Sequence, residues 1–328
     1  MSEPAAEQIE LVGRGIAVVV PCYRVRDHVL AVLSAVGPEV DRIYVVDDGC
    51  PQKSGLHVEE NCRDPRVRVL RHESNRGVGA AVMTGYREAI AEGAHVIVKI
   101  DGDGQMDPAL LPRFVRPILE GDADYTKGNR FFNVEDVRQM PPVRFLGNAV
   151  LSFVSKFASG YWDVFDPTNG YTALHARVGR LLPFDQISEG YFFESDMLFR
   201  LNTIRAVVVE IPLEARYGDE ESSLKPLTIL PEFVLKHSVN FAKRIFYNYF
   251  LRSFSIATVN LVLGSLLVLG GASWGLAAWV RYAKSGVFAS SGQVALASLP
   301  IIVGTQLVLA FLTHDMASTP RVPVHKRL

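Results

Sequence analysis

Cysteine is scarce in this 328-residue chain, which carries only Cys22, Cys50 and Cys62. An odd number at those spacings builds no disulfide framework and matches no zinc or redox motif. Reduced thiols in a cytosolic domain are therefore expected. A surplus of positive charge is also missing. The 34 Lys and Arg residues stand against 35 Asp and Glu, a net charge of −1, which speaks against nucleic acid as a partner, because phosphate backbones demand a basic surface. Residues 1–10 are polar and acidic, with no basic start running into an apolar core, so no secretory signal is expected. Internal repeats and low-complexity tracts are absent.

Charge itself disappears in the last quarter. Residues 253–280 hold no charged side chain, Arg281 and Lys284 interrupt, and residues 285–313 are again free of charge. A bilayer core of about 30 Å needs roughly 20 apolar residues as helix, so both stretches qualify as spans, over 253–281 and 286–313. Pro300 and Gly304 are tolerated in such helices. Lys236, Lys243, Arg244 and Arg252 precede the first span, and Arg321, Lys326 and Arg327 follow the second. The short connection holds only Arg281 and Lys284. By the positive-inside rule, the large N-terminal domain and the tail 314–328 are expected to face the cytoplasm, as in a multi-pass protein of the cytoplasmic membrane. Residues 226–252 interleave Phe233, Phe241, Phe246, Tyr247, Tyr249 and Phe250 with Lys236, Lys243 and Arg244, a pattern suited to an amphipathic segment at the membrane interface.

What is present before residue 226 is an alternation. Residues 16–20, 43–46, 67–70 and 96–100 are short, β-branched runs that predict buried strands. Between them, 28–36 and 79–91 carry apolar side chains at helical spacing, such as Val82, Tyr86 and Ile90. Beyond a flexible start at 1–13, the alternation predicts an α/β domain over 14–225 with a mainly parallel sheet covered on both faces. Ligands bind such sheets at the carboxyl ends of their strands.

Four strand ends carry polar or glycine-rich sequence. The first reads Val20-Pro21-Cys22-Tyr23, the second Val46-Asp47-Asp48-Gly49, and the third leads to Asn75-Arg76-Gly77-Val78-Gly79. The fourth runs Lys99-Ile100-Asp101-Gly102-Asp103-Gly104-Gln105. Residues two apart on extended chain share a face, so Asp101 and Asp103 can point into one site. Neighbouring carboxylates repel unless a cation intervenes, and hard oxygen donors select Mg²⁺ or Mn²⁺, whose shell is completed by substrate phosphates. Asp47 and Asp48 can each accept from a ribose or base edge, or cap a turn. Gly77 and Gly79 open a helix whose N-terminus suits a nucleotide phosphate. Their spacing is not the dinucleotide fingerprint.

This ordered set, Val-Val-Val-Pro-Cys-Tyr, Val-Val-Asp-Asp-Gly, Asn-Arg-Gly-Val-Gly-Ala-Ala and Asp-Gly-Asp-Gly-Gln-Met-Asp-Pro, resembles the family 2 glycosyltransferases of GT-A fold. Within them it is similar to the polyisoprenyl-phosphate branch, over roughly residues 16–225. The resemblance implies a Rossmann-like catalytic domain, and the two C-terminal spans are similar to the membrane anchor of the bacterial members. It further implies that Pro21, Tyr23 and Asp48 line a nucleotide pocket, with Arg76 and Gly77 near the base or ribose. Asp101 would lie by the ribose and phosphates, Asp103 on the metal, and Gln105 would complete the donor site. Arg130 in Lys127-Gly128-Asn129-Arg130, Arg144 and Arg216 would hold the acceptor phosphate. Asp166, in Asp166-Pro167-Thr168-Asn169-Gly170, and Asp196 would flank the reacting sugar, one or the other orienting it or the attacking group. The chain departs from the family at Arg24, at Gly104 and in the residues after 218.

The implied reaction is inverting transfer of a hexose from a UDP- or GDP-sugar to polyprenyl phosphate, in making or modifying cell-envelope glycans. Other lipid acceptors, namely diacylglycerol, ceramide or a lipid-linked saccharide, form the alternative. A lipid monophosphate is already anionic at neutral pH and needs positioning more than deprotonation. A processive synthase is disfavoured, because its Gln-x-x-Arg-Trp motif is absent and two spans are too few for a channel. A homo-oligomer is compatible with the sequence, which neither requires nor opposes one.

Overall fold

The computed structural model describes residues 11–132, 142–213, 226–286 and 288–328, leaving aside the side chains of 142–146, 148 and 226–230. Seven strands form one sheet: β1 (Ile16–Cys22), β2 (Arg42–Asp47), β3 (Val67–Arg71), β4 (Val96–Lys99), β5 (Tyr125–Asn129), β6 (Thr172–His175) and β7 (Val208–Pro212). Their order is β3-β2-β1-β4-β6-β5-β7. The first four run parallel, as the alternation predicts. β6 runs antiparallel between β4 and β5, and β7 pairs parallel with β5. That reversal brings the segment preceding β6 to the same sheet edge as the carboxyl end of β4.

The inner strands β1, β2 and β4 are largely apolar on both faces because both are covered; β3, expected as a buried strand, is instead a half-exposed edge strand whose Arg68 and Arg71 face solvent. Side chains alternate, so Ile16, Val18, Val20, Ile43, Val45, Val96 and Val98 enter one core with α1 (Arg26–Ala35) and α4 (Leu111–Leu119). Ala17, Val19, Tyr44, Val46 and Ile97 enter the other, with α3 (Val78–Ala91) and α6 (Phe193–Thr203). Among the described residues the other helices of eight residues or more in this part are α2 (Ser54–Asn61) and α5 (Pro142–Ser159), followed by the start of α7 (Pro226–Phe246). Lys236, His237 and Asn240 of α7 meet Ser188, Phe192 and Asp196 respectively. That half of the segment expected at the membrane interface thus has partners in the α/β domain. Burial without a hydrogen-bond partner pushes the His237 imidazole down to about 4.

The chain divides into two compact units, one reaching Phe241 and including Pro320–Leu328, the other Ala242–Thr319. In the second, α8 (Ile256–Ser285) and α9 (Ser291–Ala317) pack on each other. Gly264 and Gly304 face one another, where a Cβ would collide with the opposing helix. Small residues at such positions let apolar helices approach closely. Only 22% and 11% of the two helices' most apolar windows are buried, unlike the core helices of a soluble protein. Arg281 and Lys284 were expected in the connection but lie inside α8, which ends only at Gly286 in the left-handed region. Both are good helix formers, so a charge that ends an apolar run need not end the helix. A buried ion pair, Arg244 to Asp315 at 2.6 Å, takes a further bond from the Tyr249 hydroxyl.

The C-terminal residues return to the first unit, which nothing in the sequence announces. Asp124, fully buried beside β5, accepts the backbone N–H of Val207 and Val324 at 2.8 Å and that of His325 at 2.9 Å. Its carboxylate also pairs with His325 Nδ1 at 2.7 Å, and the His325 ring stacks on His175 at 4.3 Å.

Candidate active site

The strand registers assemble the site. Lys99 at the end of β4 pairs with Thr172 of β6, which pairs with Lys127 of β5. The loop 101–107, the segment 166–171 and Arg130 therefore share one edge of the sheet with the ends of β1 and β2. Gly170 lets the Lys99 ammonium and the Asp101 carboxylate lie against the backbone, where a Cβ would displace both side chains.

Asp101 and Asp103 follow β4 as expected, and their environments differ. Asp101 is held by Lys99 Nζ at 2.7 Å, and Lys99 is only 1% exposed. Asp103 accepts the Gln105 N–H at 2.9 Å, which closes the glycine-rich turn. Beneath them lies a buried cluster not foreseen from sequence. Lys99 also lies 4.0 Å from Glu194, and Lys127 donates to the Asn169 carbonyl. Burial pushes the Glu194 carboxyl up and the Lys127 ammonium down from their ordinary ranges, with each charge partly offsetting the other's shift. The available signal was a charged residue inside each otherwise buried strand, Lys99 in Val-Ile-Val-Lys and Lys127 in Tyr-Thr-Lys-Gly-Asn.

On the acceptor side, the Arg130 guanidinium forks onto Asp166, with Nε to Oδ2 at 2.8 Å and Nη2 to Oδ1 at 3.0 Å. Burial pushes the Asp166 carboxyl up, but the adjacent Arg130 and Lys127 outweigh it and hold the group below the usual carboxylate range. A cavity of about 220 Å³ adjoins Arg130, Gln105 and Gly170. Tyr171 gives it a rigid wall, its ring stacked on Phe114 at 3.9 Å and its hydroxyl donating to the Asp107 carbonyl.

Other expected residues are engaged in shaping the site. Asp48 is buried and accepts from Arg76 N at 2.9 Å and Gly77 N at 2.7 Å, and pairs with His72 Nδ1 at 2.7 Å. Asp47 binds Cys50 N and Gly55 N, the turn-holding role open to either carboxylate. Gly77 has φ 106°, and a Cβ there would meet the Glu189 carbonyl, which also accepts Ala80 N at 3.1 Å. The start of α3, expected to face a nucleotide, is thus closed by the 188–190 segment, and the Arg76 side chain reaches Glu189. Asp196 is buried, accepting Ser188 N at 2.9 Å and Asn240 Nδ2 at 3.0 Å. Pro21 is buried in β1, while Tyr23 is exposed just beyond it, with the Arg24 guanidinium 5.3 Å from its ring. Arg144 falls within α5 with its side chain outside the described set, and Arg216 lies outside the described residues.

The sheet order and these strand ends suit a nucleotide-sugar enzyme, and comparison with known proteins agrees. Residues 17–179 match the family model "Glycosyl transferase family 2". The polyprenol monophosphomannose synthase of Mycolicibacterium smegmatis is 32% identical over 202 residues, 60% of this chain and 75% of that protein. The chain belongs to glycosyl transferase family 2. It is a glycosyltransferase. A Methanococcus voltae UDP-N-acetylglucosamine–dolichyl-phosphate N-acetylglucosaminyltransferase is 26% identical over 218 residues, 62% of this chain and 86% of that protein. Among solved structures, the glucosyl-3-phosphoglycerate synthase of Mycobacterium tuberculosis, bound to Mn²⁺, UDP-glucose and phosphoglyceric acid, superposes with a TM-score of 0.54. At 20% identity over 74% of this chain and 82% of that one, it shares the fold.

The residues present fit a divalent ion of the Mg²⁺ or Mn²⁺ kind. Among the described residues no three His, Cys, Asp or Glu side chains converge as a ready cage. Hard carboxylate oxygens at Asp103, backed by Asp101, suit an ion that takes one or two protein ligands and completes its shell from a diphosphate. Lys99 already balances Asp101, which makes Asp103 the better ligand of the two.

Proposed function

We propose that this glycosyltransferase moves a hexose from a UDP- or GDP-sugar to polyprenyl phosphate, with inversion, at the cytoplasmic face of the membrane. The product would serve cell-envelope glycan synthesis or modification. The observation that carries the reading is the Arg130–Asp166 fork beside a cavity that adjoins the Asp101–Gln105 loop. It sets a preorganised guanidinium next to the expected diphosphate position, and a guanidinium grips phosphate bidentately.

Asp103 would hold the divalent ion, which when bound offsets the charge of the departing diphosphate. Lys99 fixes Asp101 on the donor side, and Lys127 fixes the Asn169–Gly170 turn on the acceptor side, so the reactants meet a rigid frame. Arg130 would orient the lipid phosphate for in-line attack at the anomeric carbon. The acceptor is anionic at pH 7, so no side chain has to take a proton from it. Relatives named for transfer to polyprenol, undecaprenyl or dolichyl phosphate support this acceptor.

The membrane assignment is supported by two long, largely unburied apolar helices. Two crossings also return the chain to its starting side, in keeping with residues 320–328 belonging to the same unit as the α/β domain. The test is to incubate the purified full-length protein with labelled UDP- and GDP-hexoses and undecaprenyl phosphate, then identify the lipid product. A glycosyl monophosphate lipid supports the reading. Transfer only to diacylglycerol, ceramide or a lipid-linked saccharide refutes it.

A further inference from the structure

The cavity beside Arg130 has two unlike walls. Gln105, Asp107, Arg113, Arg130 and Asn169 supply the polar one, while Met106, Leu110 and Leu213 supply the apolar one. The charge count on the polar wall is informative. Arg130 is already neutralised from within by the buried Asp166, so alone it offers a phosphate dianion geometry but little net charge. Arg113, in the first turn of α4, is exposed and lines the same cavity. Among the described residues nothing pairs with its guanidinium. Helix α4 is anchored by the buried Leu111, Phe114, Val115 and Ile118, so the stem of Arg113 starts from a fixed point.

We infer that Arg113 is a specificity-determining residue for the acceptor. Together with Arg130 it brackets a phosphate monoester, whose first apolar carbons lie along Met106, Leu110 and Leu213. This deepens the proposed function and rests on it. Arg113 supplies a guanidinium that pairs with no carboxylate among the described residues, though Asp107 puts a negative charge on the same wall, and Arg130, fixed by its Nε and Nη2 bonds to Asp166, offers its remaining Nη donors. A phosphate contacted by two guanidiniums is held against rotation, which orients the attacking oxygen. The apolar wall favours a lipid phosphate over a phosphorylated small polyol, since each CH₂ buried against it tightens the complex about fourfold.

The test uses full-length protein in detergent, the labelled nucleotide-hexose that the wild type turns over, and farnesyl phosphate as acceptor. Arg113→Gln raises the acceptor KM about tenfold or more and leaves the donor KM within about twofold, the loss expected for one charged hydrogen-bonding partner. Arg113→Lys, which keeps the charge without the fork, falls between. An unchanged acceptor KM, or donor and acceptor KM rising together, overturns the assignment. Glycerol 3-phosphate distinguishes the two sources of a phosphate. Wild-type preference for farnesyl phosphate by about tenfold or more is expected from the apolar wall, and equal use overturns the lipid component. A wild type that glycosylates neutral lipids and no phosphate removes the underlying reading together with this one. A prenyl-phosphate transferase indifferent to Arg113 removes this inference alone.

Discussion

Asp166 stands at the centre of the acceptor side, and its dependence on Arg130 can be measured. The carboxylate is fully buried and receives two guanidinium bonds, the Arg130 backbone N–H at 3.2 Å and Asn169 Nδ2 at 3.3 Å. Arg130→Gln strands it. Breaking a buried ion pair from one side costs about 3–5 kcal/mol. Because the Arg130 side chain is 38% exposed, the lower end applies, about 3 kcal/mol, since water screens its half of the pair. Adding Asp166→Asn removes the stranded charge, so the double variant should recover about 2 kcal/mol relative to the sum of the singles. Denaturant unfolding of the full-length protein in detergent, followed by tryptophan fluorescence, gives the cycle. The sign in pH follows from the lowered carboxyl. The stabilisation is complete above the ordinary carboxylate range and fades only as pH falls below it. Singles that add within about 0.5 kcal/mol would refute the coupling, and with it the view that Asp166 presets Arg130.

Asp103→Asn should abolish transfer, by about a hundredfold or more, while leaving the unfolding midpoint near wild type; retained activity would remove this carboxylate from the metal role. Lys99→Met should leave Asp101 unpaired and Glu194 with Lys127 alone to offset it, costing about 3 kcal/mol and lowering kcat more than it raises donor KM. An equal effect on both constants would count against a positioning role. Asp124→Asn sets an amide donor against backbone donors and should speed hydrogen exchange at Val324 and His325 by about tenfold or more; unchanged protection would show that the tail is held by other contacts. Burial, then His325, pushes His175 down to about 4. The fold therefore favours neutral imidazole, and stability should decline as pH falls from about 6.5 toward that value. Asp124, Arg177 and His95 also face this ring. His175→Asn should flatten the decline, and an unaltered slope would assign it to other groups.

Much of the α/β domain was readable because its signals are local. Strands β1, β2 and β4 are β-branched runs between turn residues, and a parallel sheet buried on both faces leaves such runs almost wholly apolar, whereas the edge strand β3 alternates valine with exposed arginine. The glycine-bounded aspartates after β4 were readable for the same reason, as polar residues where a buried strand ends. What could not be read was the partner of each. Asp48 and Asp196 look like ligand-binding carboxylates in one dimension. Their hydrogen bonds go to the 76–77 turn, Ser188 and Asn240, up to 44 residues away. Lys99, Lys127 and Glu194 come together only because β6 runs antiparallel between β4 and β5.

The sequence by itself determined the family, the first four strands with two of the helices between them, the position of the paired aspartates and the two long apolar helices. Each depends on residue types within a few positions of one another. The tertiary structure alone decided that Lys99 neutralises Asp101 and that Asp166 presets Arg130. It also decided that Arg113 shares a cavity with Gln105 and that the last residues dock on Asp124. Those pairings depend on which strands are neighbours and in which direction they run, and a sheet's register is a long-range choice that no local pattern encodes.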